Sequence, residues 1–258
     1  MSSYKVHSES QWPALDIKPK VIVPVRPNKT PQDRWAQDKD LPVDPKTVKP
    51  SAEPVADVSP TQSKTVLVDN PNDILVLVNK THLLPSNYVP DDLVIPSVPF
   101  ASTEPDSLRN EAALALEQLF NAAKQSGIKY YCLSGYRSYI EQKKVYSDHV
   151  YERGEYEANQ VSARPGRSEH QTGLAADLTS DTAGRKLVRT FGRLKEGLWL
   201  KTHAHEFGFV IRYPLNKETI TGYYYEPWHV RYVGTNAAAE IYDKNIVLEE
   251  YIANINVN

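Results

Sequence analysis

Apolar residues recur at intervals of three and four positions between residues 106 and 126, and this is the clearest pattern in the chain. They are Leu108, Ala112, Leu116, Leu119 and Ala123. Such spacing places one apolar stripe along a helix, and Gly127 follows as a residue that can end it. We therefore predict a helix over Asp106–Ser126.

A second helix is predicted to begin at a capping box. Ser138 and Glu141 stand three residues apart, so that each side chain can bond a backbone N–H group near the other. This helix is predicted to run to about Gly154. Ala183–Phe207 is also predicted to be helical, at least in its second half, and Thr235–Tyr242 to form a short final helix.

Short apolar runs predict the strands, because they have the length of buried strands and are too short for buried helices. The predicted strands are Ile74–Val78, Ile128–Leu133, Leu174–Leu178, Phe209–Tyr213 and Trp228–Val233. Helices precede strands, and the strands are short and separated along the chain. This order predicts an α+β fold with a central, mainly antiparallel sheet flanked by helices.

The first 65 residues differ in composition from the rest of the chain. They hold 10 of the 19 prolines and no glycine, and a segment of this kind buries little apolar surface. We therefore expect an extended or disordered segment over residues 1–65 and a folded domain over residues 66–258. Trp12 and Trp35 are unusual in a spacer; local packing, or no packing at all, is favoured over a binding role for them.

Composition argues against several classes of function. The formal net charge is −2, so the chain lacks the basic excess with which proteins neutralise the phosphates of nucleic acids. Cys132 is the one cysteine, which excludes an internal disulfide and a cysteine-based zinc site. The sequence contains no run of 18 or more apolar residues, so no membrane-spanning helix is predicted. The N-terminus lacks the apolar core of a signal peptide.

His170 and Asp177 are the first candidate site residues. His170 lies in a loop rich in glycine and serine, and Asp177 interrupts an otherwise apolar strand. A carboxylate in a buried strand is costly unless it is paired or bound to a metal. Asp177 is therefore either a metal ligand or one half of a salt bridge to an arginine.

A Glu-x-x-His pair, Glu226 and His229, completes a set of metal ligands with His170 and Asp177. Catalytic zinc sites take three nitrogen or oxygen ligands from the protein and leave the fourth position to water, and a nearby carboxylate serves as general base. Pro227 can bend the chain so that Glu226 and His229 reach one centre. The set predicts a zinc hydrolase; the alternative is an Asp–His pair without a metal.

Arg137 stands in a turn between a predicted strand and a predicted helix. Its planar guanidinium can hold a carboxylate through two hydrogen bonds, and the helix N-terminus favours the same anion. The alternative is an ion pair of Arg137 with Asp177 or with a surface glutamate.

Other histidines and tyrosines could be taken for site residues. His203 and His205 form a His-x-His pair, but residues two apart on a helix point away from each other, which favours structural or exposed roles. Tyr223–Tyr225 come just before Glu226 and either line a cleft or belong to the core.

The motifs, in their order, resemble those of a known enzyme family. They are Ser-Gly-Tyr-Arg-Ser at 134–138, Ser-x-His-x-x-Gly-x-Ala-x-Asp at 168–177 and Glu-x-x-His at 226–229. This order is similar to that of the VanY-type zinc D-alanyl-D-alanine carboxypeptidases, which include the L,D-carboxypeptidases LdcB and DacB. The resemblance covers roughly residues 74–251.

The resemblance implies a zinc site in a surface cleft of an α+β fold. His170, Asp177 and His229 would bind zinc, and Glu226 would serve as general base and then as proton donor. Arg137 would bind either the terminal carboxylate of the substrate or the developing oxyanion. The pocket would also be lined by Gln142, Ser168 and Trp228.

We therefore expect a zinc carboxypeptidase that removes the C-terminal D-alanine from peptidoglycan stem peptides. The sequence leaves open whether its specificity is D,D or L,D. The alternatives are an endopeptidase on the same scaffold and a cell-wall binding module without a metal; the complete ligand set argues against the second. We further expect a monomer that acts outside the cytoplasm, in the cell envelope or secreted, because the substrate lies there.

Overall fold

A four-stranded antiparallel sheet forms the centre of the protein. The computed structural model describes residues 65–255. The strands, in chain order, are β1 (Val66–Leu67), β2 (His82–Leu83), β3 (Leu93–Val94), β4 (Leu108–Arg109), β5 (Tyr131–Ser134), β6 (Ala175–Thr179), β7 (Phe209–Tyr213) and β8 (Glu226–Tyr232). The central sheet has the order β5-β6-β8-β7, and each neighbouring pair is antiparallel. The prediction of a mixed fold with an antiparallel sheet is confirmed.

Helices pack on this sheet, and along the chain they alternate with its strands. They are α1 (Asn110–Gln125), α2 (Tyr139–Arg153), α3 (Glu155–Val161), α4 (Lys195–His203), α5 (Glu218–Thr221), α6 (Thr235–Asp243) and α7 (Leu248–Ile255). Short 3₁₀ turns lie at Glu169–Thr172, Arg189–Arg193 and Ala204–Phe207. Strands β1 and β2 form a small parallel pair, and β3 and β4 a small antiparallel pair.

The two faces of β8 have different surroundings. Trp228 and Val230 belong to the main apolar core, which also contains the buried face of α1. His229 and Arg231 alternate with them and therefore point to the opposite face of the sheet. They are nevertheless buried, at 3% and 0% exposure. The second face thus carries polar residues that are shielded from solvent, and this is where the site is built.

Local sequence patterns predicted several elements well. Strand β7 has the bounds predicted for it. The capping box of α2 is present: the N–H of Glu141 donates to Oγ of Ser138, and the N–H of Ser138 donates to Oε2 of Glu141. The second half of residues 183–207 is helical, as α4 and the 3₁₀ turn after it, whereas the first half consists of turns and irregular backbone followed by the 3₁₀ turn at Arg189–Arg193.

The strand predicted at Ile74–Val78 is wrong, although its burial is real. Val76 and Val78 are 6% and 0% exposed, yet the segment consists of turns and irregular backbone. The carbonyl oxygens of Ile74 and Val76 accept hydrogen bonds from Nη2 of Arg231 at 2.9 and 2.8 Å. A buried side chain therefore takes up backbone acceptors that a strand would have used.

Helix boundaries differ from the prediction at both ends of the domain. Helix α1 begins four residues later than predicted, because Leu108 and Arg109 pair with Val94 and Leu93 in the β3–β4 ladder. Helix α6 was expected to be final, but α7 follows it; its buried residues include Leu248 and Tyr251.

The predicted proline-rich segment, residues 1–65, lies outside the described residues except for Thr65, and so do Trp12 and Trp35. Within residues 65–255, no helix combines the length and apolar character needed to span a bilayer.

His149 of α2 gives the fold a dependence on pH. Burial, reinforced by the charges of Arg153 and Arg137, lowers the pKa of His149 to about 4, whereas a histidine in an unfolded chain titrates near 6.5. Between these values the unfolded state binds more protons, so the free energy of unfolding falls as pH falls from 6.5 to 4. The contribution is at most about 3 kcal/mol.

We expect His149→Gln to lose less stability than the wild type between pH 7 and pH 4.5. Urea unfolding of both proteins at the two pH values measures the free energies of unfolding. The difference between the two proteins in how this free energy changes with pH cancels the contributions of the other titrating groups. Equal pH dependence in the two proteins would contradict the role of His149.

Candidate metal centre

Three adjacent strands place candidate residues in one row across the sheet. Ser134 of β5 pairs with Asp177 of β6, and Asp177 pairs with His229 of β8. Residues directly opposite each other on neighbouring strands are within side-chain contact, and Oδ1 of Asp177 lies 3.0 Å from Nδ1 of His229. The register of the sheet thus joins two residues that are 52 positions apart in the chain.

The 3₁₀ turn at Glu169–Thr172 brings His170 to the same carboxylate. Nε2 of His170 lies 3.3 Å from Oδ2 of Asp177, and the rings of His170 and His229 meet edge-on with centroids 4.9 Å apart. Nδ1 of His170 lies 2.7 Å from the carbonyl oxygen of Gly135. Because a carbonyl only accepts, Nδ1 carries the proton, and the lone pair of the neutral ring is on Nε2.

Gly135 is required at this point by the close approach of a neighbouring loop. A Cβ atom at Gly135 would lie 2.6 Å from the carbonyl oxygen of Ser107 and 3.0 Å from Cβ of Asp106. The N–H of Gly135 donates to Oδ2 of Asp106 at 2.9 Å. This packing fixes the carbonyl that orients His170.

His170, Asp177 and His229 form a donor set that fits a metal ion. One ligand atom of each lies within 4.8 Å of the others, and the residues are 5%, 3% and 3% exposed. Two imidazole nitrogens and a carboxylate oxygen are the ligand types of catalytic zinc sites. Asp177 contacts both histidines through its two oxygens, which favours a ligand role over the alternative of a salt bridge to arginine.

Protons and a cation compete for this donor set. Burial raises the pKa of Asp177, but the charge of His170 and hydrogen bonds to both histidines outweigh burial and hold that pKa well below its usual range. Burial lowers the pKa of His229, but the neighbouring carboxylates of Asp177 and Glu169 outweigh it and raise that pKa to about 9. A metal ligand must be deprotonated, so a cation bound here would displace the proton of His229.

Glu226, at the start of β8, lies beside the donor set. Its Oε2 is 3.9 Å from Nδ1 of His229. The β7–β8 ladder shifts register between Ile211 and Tyr213, next to Pro227, which has no N–H to donate. The side chains of Glu226 and His229 therefore lie next to each other. Burial raises the pKa of Glu226 to about 8, and the positive charge of His229 opposes this shift.

Arg137 is held at the edge of the site by neighbours on two elements. Its Nη1 donates to Oε1 of Gln142 and its Nη2 to Oγ of Ser134, each at 2.8 Å. Gln142 also donates to the carbonyl oxygen of Ala163 at 2.6 Å, and the backbone N–H of Arg137 donates to the carbonyl oxygen of His170 at 3.1 Å. Gln142 thus orients the guanidinium.

One pocket brings together most of the residues singled out from the sequence. Its lining includes Arg137, Gln142, Ser168, His170, Asp177, Glu226 and His229. Trp228, expected in the pocket, is not among the lining residues and lies in the main core. The reason is the alternation along β8, which turns the side chain of Trp228 away from that of His229.

Two tyrosines complete the wall of this pocket. The ring centroid of Tyr213 lies 5.0 Å from that of His229 and 4.9 Å from that of Tyr223. Tyr223 belongs to the run Tyr223–Tyr225, for which the sequence did not decide between a place in the cleft and a place in the core. Tyr213 had no distinguishing pattern, because β7 is apolar and aromatic along most of its length.

Glu169 was not singled out from the sequence, because a glutamate in a polar loop is usually exposed. Its side chain is fully buried, and Oε1 accepts hydrogen bonds from Nε of Arg212 and Nη1 of Arg231, each at 2.7 Å. Burial raises the pKa of Glu169, but the two arginines outweigh it and hold that pKa well below its usual range. The carboxylate is therefore charged at neutral pH.

The His-x-His pair has packing contacts instead of a shared site. His203 stacks on Trp199 with centroids 4.5 Å apart, and His205 stacks on Tyr242 at 3.7 Å. These contacts agree with the structural roles predicted for both histidines. Cys132 is completely buried.

Comparison with known sequences agrees with the motifs. The family model described as VanY, D-alanyl-D-alanine carboxypeptidase, matches residues 105–235. A putative carboxypeptidase, YodJ, of Bacillus subtilis strain 168 is 49% identical over 73% of this chain and 70% of its own length. A D-alanyl-D-alanine carboxypeptidase of Enterococcus faecalis is 34% identical over 69% of this chain and 65% of its own length.

Solved structures give the same picture. The LdcB LD-carboxypeptidase matches with a TM-score of 0.70 and 48% identity, over 73% of this chain and 90% of its own. A mutant of the vancomycin-resistance D,D-pentapeptidase VanY, solved in complex with Zn(II), matches with a TM-score of 0.60 and 33% identity, over 71% of this chain and 99% of its own.

Proposed function

Because this chain belongs to the VanY family of D-alanyl-D-alanine carboxypeptidases, we propose that the pocket around His170, Asp177 and His229 is its active site. The chain is a zinc-dependent carboxypeptidase that removes the C-terminal D-alanine from peptidoglycan stem peptides. The observation that carries the assignment of the site is the convergence of these three buried ligands beside the carboxylate of Glu226.

Zinc is the metal that the donor set fits best. The ligands are two imidazoles and one carboxylate, and a VanY relative was solved with Zn(II). When bound, zinc polarises the scissile carbonyl and lowers the pKa of a water molecule toward neutrality. His170 would offer Nε2 and His229 would offer Nδ1, since these nitrogens face Asp177.

Glu226 moves the proton in the reaction. Its carboxylate lies beside the ligands and accepts a proton from the attacking water. It then returns this proton to the leaving amine of D-alanine. A cation in the donor set favours the ionised form of Glu226, which burial alone disfavours.

Arg137 selects a free C-terminus. Its guanidinium is oriented by Ser134 and Gln142 at the pocket wall, and a guanidinium binds a carboxylate through two parallel hydrogen bonds. Holding the terminal carboxylate would place the last peptide bond beside His170, Asp177 and His229, so that one residue is released. We propose that Gln142 and Ser168 also contact the substrate in this pocket. We further propose that residues 66–258 form the catalytic domain and that it acts outside the cytoplasm.

The replacement Arg137→Gln should lower kcat/KM roughly 10- to 150-fold on a peptide with a free C-terminal carboxylate, the range expected for a lost charged hydrogen bond. On the same peptide with an amidated C-terminus, kcat/KM should change little. Steady-state kinetics on both peptides measure this, with Arg185→Gln as control, because Arg185 pairs with Asp181 outside the pocket. Equal losses on both peptides would instead assign Arg137 to the oxyanion.

The proposed function is tested by mass spectrometry of muropeptides after incubation with the zinc-loaded protein. Muropeptides with tetrapeptide stems and with pentapeptide stems are offered together, with Glu226→Ala as the inactive control. Loss of one alanine from the pentapeptide identifies D,D-carboxypeptidase activity, and loss from the tetrapeptide identifies L,D-carboxypeptidase activity. Intact stems with zinc bound, or cleavage within the cross-bridge, would overturn the proposal.

A further inference from the structure

The ligand His229 has an unusual neighbour on its outer side. Its Nδ1 faces Asp177, whereas Nε2 has no hydrogen-bond partner among the described residues. Oε2 of Glu169 lies 3.6 Å from this nitrogen and likewise has no partner there. Two buried polar atoms of complementary character thus face each other just beyond hydrogen-bond distance.

Such an arrangement is costly unless the two atoms bond, because a buried polar atom without a partner has lost its hydrogen bonds to water and gained none in return. Here the donor and the acceptor are 3.6 Å apart, less than 1 Å longer than an ordinary N–H···O hydrogen bond. A small rotation of the imidazole toward Glu169 closes the gap. The same hydrogen bond places the proton on Nε2 and leaves the lone pair of the neutral ring on Nδ1.

We propose that Glu169 is a positioning residue that accepts the Nε2–H of His229 and so directs Nδ1 toward the metal. This inference rests on the proposed zinc site. It gives both histidine ligands the same type of support, since His170 donates its outer N–H to the carbonyl oxygen of Gly135. Outer partners of this kind fix the tautomer and orientation of a ligating imidazole.

Glu169 is well suited to this task because its own position is fixed. Arg231 bonds Oε1 of Glu169 and also bonds the carbonyl oxygens of Ile74 and Val76. Arg212 bonds the same Oε1 and reaches Glu249 of α7 through Nη1 and Nη2, at 2.8 and 2.6 Å. Both arginines use Oε1, which leaves Oε2 to the histidine.

These contacts also connect the metal centre to the C-terminal helix. Glu249 lies in α7 and accepts a further hydrogen bond from Nδ2 of Asn79. It shares Arg212 with Glu169, and its hydrogen bonds go to Arg212 and Asn79 and not to His229. The pair Glu169 and Glu249 offers a matched test, because each neutral variant disturbs the same buried arginine and one of them also removes the acceptor of His229.

The experiment compares Glu169→Gln with Glu249→Gln in the full chain. Zinc affinity is measured by competition with a chromophoric chelator, and the ligand field by the absorption spectrum of the Co²⁺-substituted protein. Glu169→Gln should bind zinc about 10- to 100-fold more weakly, as for the loss of other outer-shell partners, and should shift the Co²⁺ spectrum. Glu249→Gln should lose thermal stability but retain zinc affinity within about 2-fold of the wild type, because it leaves the acceptor of His229 in place.

A second measurement needs no variant and covers the case in which Glu169→Gln fails to fold. The ¹⁵N chemical shifts of His229 in the zinc-loaded wild type should show a protonated Nε2 and a metal-bound Nδ1. The inference is overturned if Nε2 is the metal-bound nitrogen, or if folded Glu169→Gln matches the wild type in zinc affinity and Co²⁺ spectrum. A wild type that binds no zinc would instead overturn the metal site itself.

Discussion

Glu226→Gln is expected to lower kcat about 10²- to 10⁴-fold, the range found when a general acid–base group is removed. Glutamine has nearly the shape of glutamate but cannot take the proton of the attacking water or return it to the leaving amine. The loss should appear in kcat, because Glu226 acts on the reacting atoms. The measurement is steady-state kinetics on the stem peptide that the wild type cleaves.

The zinc content of Glu226→Gln should stay at one ion per chain. Glu226 is 3.9 Å from the ligand His229 and is not one of the three converging ligands, so elemental analysis separates a lost base from a lost metal. Glu206→Gln is the control, since Glu206 is an exposed glutamate in the 3₁₀ turn at Ala204–Phe207. A variant that keeps its zinc and more than a tenth of the wild-type kcat would exclude Glu226 as the base.

The sequence predicted the elements that local rules determine. The capping box of α2 uses residues three apart, and the bounds of β7 follow from one apolar run. The run Ile74–Val78 satisfied the same rule, but the strand predicted there is wrong. Its backbone acceptors are bonded by Arg231, a residue about 155 positions away. A rule that counts apolar residues in a window has no access to such a distant partner.

The site shows the same division between local and distant information. His170, Asp177, Glu226 and His229 were singled out from residue type and spacing together with the family resemblance, and the structure brings them close to one another. Their meeting depends on the register that sets Asp177 opposite His229, which no single segment encodes. Glu169 escaped notice because its two arginine partners lie 43 and 62 positions further along the chain.

Removal of one histidine ligand is expected to abolish both zinc binding and activity. In His170→Ala the donor set retains one nitrogen and one carboxylate, fewer than the three ligands that hold catalytic zinc. Peptide cleavage should fall to the background of metal-free protein, and added zinc should restore activity to chelator-treated wild type but not to the variant. Zinc content and cleavage of the stem peptide, before and after zinc addition, measure this.

The same replacement should also remove the stabilisation that zinc gives to the folded state. A ligand that binds only the folded state stabilises it by about 4 kcal/mol at a thousandfold excess over Kd, so zinc should raise the Tm of the wild type and leave that of His170→Ala unchanged. His203→Ala is the matched control, because it deletes an imidazole that stacks on Trp199. It should keep full zinc content and respond to zinc like the wild type. If His203→Ala lost zinc and His170→Ala did not, the metal would have to lie at the His-x-His pair and the present site would be wrong.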